Sequence, residues 1–134
     1  MKKSIYYLIF FAALLLGCKE QELPAVVQDR FYVKYEVSSS TIYSGGKLVV
    51  KVQDRDSIKS FLINTRSPWE TIIGPVEKGF NASLSVVKSG TPDTKLQIQT
   101  QISVSVNNEP FVLKKMDNSD ALRNSVSIAY SIVD

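Results

Sequence analysis

Between residues 96 and 106 the chain alternates apolar and polar side chains almost without a break. Leu96, Ile98, Ile102, Val104 and Val106 share one parity with Thr100, and Gln97, Gln99, Gln101, Ser103 and Ser105 share the other. A period of two suits an extended strand with one face in a core and one in water, and it does not suit the 3.6-residue period of a helix. The same rule sets Val33, Tyr35 and Val37 against Lys34, Glu36 and Ser38, and Leu48, Val50 and Val52 against Lys47, Lys51 and Gln53. It returns near the C-terminus, where Val126, Ile128, Tyr130 and Ile132 alternate with serines.

Weaker strands are expected over 58–64, 70–73, 82–88 and 110–116. Between them lie Ser44-Gly45-Gly46, Arg55-Asp56-Ser57, Gly74-Pro75, the run from Ser89 to Asp93, and Asn107-Asn108. Glycine and asparagine tolerate positive φ, proline presets its own φ, and aspartate or serine bonds nearby backbone amides, so these are turn compositions. Residues 118–123 read as a loop, with Ser119 placed to cap a single helical turn if one forms. Seven or eight short strands so punctuated predict an all-β chain folded as an antiparallel, immunoglobulin-like β-sandwich.

Ahead of this pattern stands a different one. Met1-Lys2-Lys3 opens an apolar run over 5–16 that is too short to span a bilayer and ends on Leu15-Leu16-Gly17-Cys18. This ending resembles the lipobox of bacterial lipoproteins, in which the cysteine sulfur is diacylated before cleavage and the new amino group is then acylated. The resemblance implies a signal peptide over 1–17, lipidation at Cys18 and membrane lipid as a partner. Residues 18–30 form a polar tether and 31–134 the β-sandwich domain. Lys19-Glu20-Gln21-Glu22 is similar to the short charged signals that send Bacteroidetes lipoproteins to the outer face of the outer membrane. An outer-membrane lipoprotein is expected, with the periplasmic and surface faces both open.

Composition narrows the function. Of 134 residues, removal of 17 leaves 117, enough for one core. The formal charge of +3 includes Lys2 and Lys3, so the mature chain is near +1 and has no clustered basic face; nucleic acid is discarded as a partner. The chain has one cysteine and no histidine. Disulfides, thiolate metal sites, the usual general base and the commonest zinc ligand are thereby excluded. No cofactor is expected, and the chain reads as a non-enzyme.

Val33-Lys34-Tyr35-Glu36-Val37, Ser67-Pro68-Trp69, Lys78-Gly79-Phe80 leading into Leu84-Ser85-Val86, the 102–106 strand with its Asn107-Asn108 hairpin, and Val126-Ser127-Ile128-Ala129-Tyr130 together resemble the MmpS-type small β-sandwich family, in the form of a Bacteroidetes-like lipoprotein. The cysteines and membrane-spanning helix of mycobacterial members are absent. The resemblance implies a sandwich over most of 32–133 and, as one reading of function, an accessory subunit of an RND-type envelope transporter.

The remaining candidates each have two readings. Ser44-Gly45-Gly46-Lys47 matches the Ser-x-x-Lys string of penicillin-recognising enzymes, but it falls between two strands without companion strings and reads as a hairpin. Asp54, Asp56, Asp93, Asp117, Asn118 and Asp120 supply oxygens of the kind calcium takes, yet no loop concentrates six to eight of them. They read as acceptors for local backbone amides. Trp69 is either a stacking platform for a glycan or a core residue pinning the two sheets, and the core reading is preferred. Asp56-Ser57-Ile58 resembles the O-glycosylation sequon of exported Bacteroidetes proteins, which makes Ser57 a candidate modification site. Asn81-Ala82-Ser83 has the form of an N-glycosylation acceptor and carries no weight behind a bacterial lipobox. The preferred function is a lipid-anchored cell-envelope binding or structural module without catalytic activity, engaging an envelope protein or glycan. The transporter subunit and a glycan-binding surface lipoprotein are the alternatives.

Overall fold

The computed structural model describes residues 27–39, 46–64, 68–90 and 95–133. Eight strands run through them: β1 (Phe31–Ser39), β2 (Lys47–Asp54), β3 (Ser57–Asn64), β4 (Trp69–Val76), β5 (Asn81–Ser89), β6 (Ile98–Val106), β7 (Val112–Asp117) and β8 (Ser125–Ser131). Every pairing is antiparallel, and no described residue is helical. The strands form two four-stranded sheets, ordered β4-β1-β6-β7 (sheet I) and β3-β2-β5-β8 (sheet II). The chain is an antiparallel β-sandwich.

The alternation explains the packing. Val33, Tyr35 and Val37 from β1 and Ile98, Ile102 and Val104 from β6 are buried between the sheets. They meet Leu48, Val50, Val52, Leu84, Val86, Val126 and Ile128 from sheet II. Tyr35 is fully buried, and its hydroxyl donates to the carbonyl of Gln53 at 2.8 Å, joining a central strand of one sheet to the other. One end of the core is filled by Phe61 of β3 and Trp69 of β4, whose ring centroids are 5.0 Å apart.

Three expectations are corrected. Gly74-Pro75 does not separate strands but lies inside β4. Gly74 has φ +137°, and a Cβ there would lie 2.8 Å from the Tyr32 ring and 2.9 Å from the Phe31 carbonyl, so glycine is required by conformation and by close approach. Sheet-edge position accommodates Pro75, which has no N–H to give a ladder, and the turn falls instead at Glu77-Lys78-Gly79. Second, Leu96 is outside β6: it is buried but bridges Arg123, with N–H to carbonyl distances of 2.9 and 2.8 Å.

Third, the polar parity of β6 is not an open face. Ser103 and Ser105 are only 5% and 2% exposed. Lys34 and Leu113 stand directly opposite Ser103 on its two neighbouring strands. The Ser105 hydroxyl donates to the Glu109 carbonyl, and Phe111 sits with its ring centroid 5.6 Å from the Lys34 ammonium. The chain after the Asn107-Asn108 turn thus closes over this end of β6. Residues 118–123 are a loop, in which Asp117 accepts from the Ser119 amide and the Ser119 hydroxyl accepts from the Ala121 amide.

Candidate functional site

The outer face of sheet I remains open at its other end. Glu36 and Ser38 of β1, Gln99 and Gln101 of β6, and Pro68, Trp69 and Glu70 at the start of β4 line a shallow groove of about 320 Å³. The register builds it: Glu36 stands opposite both Glu70 and Gln101, and Ser38 stands opposite Gln99. Lys34 pairs with Glu36 at 3.2 Å, and the Ser38 hydroxyl donates to Gln99 Oε1 at 3.3 Å.

Chemically the groove offers two carboxylates, two amides and a hydroxyl, while Trp69 at its border stands opposite the inward-facing Val37 and packs its ring on Phe61. Directly opposed carboxylates on a sheet face repel and destabilise pairing, so Glu36 facing Glu70 breaks a local rule of strand pairing. Such a pair accepts hydrogen bonds, and the two amides both donate and accept. The arrangement suits a neutral, hydroxyl-rich or amide-bearing partner.

Two larger depressions share Pro75, Val76 and Glu77: one of about 590 Å³ lies where the chain enters β1, and one of about 430 Å³ lies by the Arg55-Asp56 turn. Several of their polar groups are engaged within the chain. The Arg30 amide donates to Asn107 Oδ1, the Asn107 amide nitrogen donates to Asp29, and Arg55 donates to the Gly74 carbonyl. The sheet I groove is the better candidate despite its smaller volume, because it gathers two carboxylates and two amides on one sheet face.

Cys18 and the Leu15-Leu16-Gly17 string before it lie outside the described residues, as do Ser44, Gly45 and Asp93. Ser57 opens β3, exposed, directly after the Arg55-Asp56 turn, a position that leaves its side chain accessible. Trp69 is half-buried: it packs against the core, tilts onto Phe61 and borders the groove.

The aspartates are dispersed among separate partners. Asp54 pairs with Lys59 at 2.5 Å, and Gln97 donates to Asp120 at 2.5 Å. Asp117 receives Arg123 in a two-pronged contact of 2.5 and 3.0 Å. The Arg123 side chain holds the Asp117 carboxyl below the usual carboxylate range, helped by the Ser119 amide, and Asp117 in turn raises the guanidinium. No group of three or more metal-ligating carboxylate, cysteine or histidine side chains occurs among the described residues.

Sequence reading did not find Glu36 and Glu70 as a pair. They lie on strands separated by two others in the chain, and no local pattern reports that register. No protein-family model matches the chain, and no curated protein matches it.

Proposed function

We propose that the chain is a lipid-anchored, non-catalytic binding module of the cell envelope, held to the outer membrane through Cys18 and engaging a polar partner with the outer face of sheet I. The Leu15-Leu16-Gly17-Cys18 string carries this reading, because it ends an export-type apolar run on the chain's single cysteine, about a dozen residues before the first strand. The groove supports the binding half: its carboxylates and amides are matched to hydrogen-bonding partners, and the chain contains no histidine to serve as a general base beside them.

Metabolic labelling with a palmitate analogue tests the anchor. The wild-type chain incorporates label and is processed, whereas Cys18→Ala accumulates as an unlabelled precursor. A Cys18→Ala chain that is still cleaved and labelled would sink the proposal.

One observation favours a glycan over a protein partner. Pro68, Trp69, Gln99 and Gln101 share the lining of the groove, which sets apolar residues next to planar amides. Neutral oligosaccharides added to the full chain would then shift Trp69 emission, and Gln101→Ala would abolish the shift without unfolding the sheet. A protein partner would leave that emission indifferent to sugars.

A further inference from the structure

β3 is an exposed edge strand with large apolar side chains. It forms one edge of sheet II, with β2 on one side and no described strand on the other. Its outward side chains Ile58 and Leu62 are 66% and 62% exposed, although both are large and apolar. Open edges are ordinarily blunted by charge, proline or a bulge, because their free N–H and C=O groups template further pairing. β3 has no proline, its pairing with β2 runs without a shift from Lys47↔Asn64 to Asp54↔Ser57, and its one charge, Lys59, is already neutralised by Asp54.

The direction of its free backbone groups follows from the turn. Asp54 and Ser57 flank the two-residue Arg55-Asp56 turn and so occupy the hydrogen-bonded closing position of the hairpin. Odd-numbered residues of β3 then bond toward β2, and the backbone groups of Ile58, Ser60 and Leu62 point to the open edge. The strand is also self-complementary about Ser60. Antiparallel pairing with a second β3 centred there sets Ile58 of each copy against Leu62 of the other and Ser60 against Ser60. On the opposite face it sets the aliphatic stem of Lys59 against Phe61.

We infer that β3 is a homodimerisation edge, pairing antiparallel with β3 of a second copy about a two-fold axis through Ser60 to make one continuous eight-stranded sheet. The contact forms about six backbone hydrogen bonds, two for each of three directly bonded residue pairs. It covers the exposed Ile58 and Leu62 reciprocally, as an isologous interface requires. It brings together no unneutralised charge.

A strand edge is smaller than the roughly 1,200–2,000 Å² of a stable interface, so the pairing depends on confinement of the copies. A dozen-residue tether, as read from the sequence, would have a reach of about 20 Å, against about 15 Å for half the length of the nine-residue β1 it leads into. Two antiparallel copies can therefore both reach one bilayer when their strands lie along it.

The test is cysteine cross-linking of the full chain in membranes with a short bifunctional thiol reagent. Ser60→Cys should give a dimer band, and adding Leu62→Lys to it should reduce that band several-fold. Ile58→Cys and Leu62→Cys should each fail alone but cross-link when the two chains are co-expressed. Circular dichroism of the Leu62→Lys variant checks that an exposed substitution leaves the fold intact. No dimer from Ser60→Cys, equal yields from Ile58→Cys alone, or cross-linking of Ser60→Cys to a different protein would each overturn the inference. The wild-type chain sets the background and separately reports whether the Cys18 thiol is free, so a failed anchor is distinguishable from a failed interface.

Discussion

Tyr35 joins the two halves of the core through one hydroxyl. Its pKa is raised, first by burial and then by the Asp54 charge, so the folded state holds the phenol protonated. The contribution is present in full below the unfolded phenol's pKa of about 10 and is lost as pH rises above it, because the unfolded chain ionises first. Tyr35→Phe should cost about 1–2 kcal/mol by leaving the Gln53 carbonyl unpaired, and it should flatten the alkaline loss of stability. Denaturant melts at pH 8 and pH 11 measure both effects. Thr100 presents the opposite case: it is fully buried and its hydroxyl has no hydrogen-bond partner. Thr100→Val keeps the branched shape and removes an unsatisfied group, so it should be neutral to stabilising by up to ~1 kcal/mol; a drop in Tm of several degrees would contradict this. Trp69→Ala should cost about 2–4 kcal/mol, since it empties the space against Phe61. Its emission should be moderately blue-shifted yet quenchable by acrylamide, as befits a half-buried ring at the rim of the core.

The loop between β7 and β8 is held by Arg123. Its guanidinium grips Asp117 with two prongs and donates to the Ile98 carbonyl, while its backbone bridges Leu96. This single residue ties the start of β6 to the end of β7 and to the chain entering β8. Because the Asp117 pKa is depressed in the fold, the pair contributes stability above the unfolded carboxylate's pKa of about 4, and that contribution is lost as pH falls through the lower folded value. Arg123→Lys, which keeps the charge but not the fork, should lower Tm at pH 7, with the difference from wild type shrinking toward pH 2. An unchanged difference across that range would mean that packing, rather than the ion pair, dominates. β4 shows how an element absorbs an unfavourable string, because Gly74-Pro75 has a turn composition yet stays in strand at an edge where a missing N–H is tolerated.

The molecule's sheets are assembled from distant segments. β1 pairs with β6, as in Tyr35↔Ile102, and with β4, so sheet I cannot form until most of the domain has been made. Such non-local pairing is entropically expensive to initiate and gives slow folding. A chain starting at Asp29 should refold in milliseconds to seconds after dilution from denaturant, with circular dichroism showing strand and little helix. Refolding in microseconds would contradict the dominance of long-range pairing.

Strand positions, their inward residues and the all-β class were legible in the chain because alternation is a local record of which side chains must leave water. Leu48, Val50 and Val52, or Val126 and Ile128, need no partner to announce their buried face. Register across 30 to 70 residues has no such record. It was the tertiary structure that set Glu36 against Glu70, buried Ser103 and Ser105 on a nominally outward face, kept Gly74-Pro75 within a strand and left β3 at an edge. Those outcomes depend on which strand lies beside which, and that is decided by the packing of two whole sheets rather than by any segment's own preference.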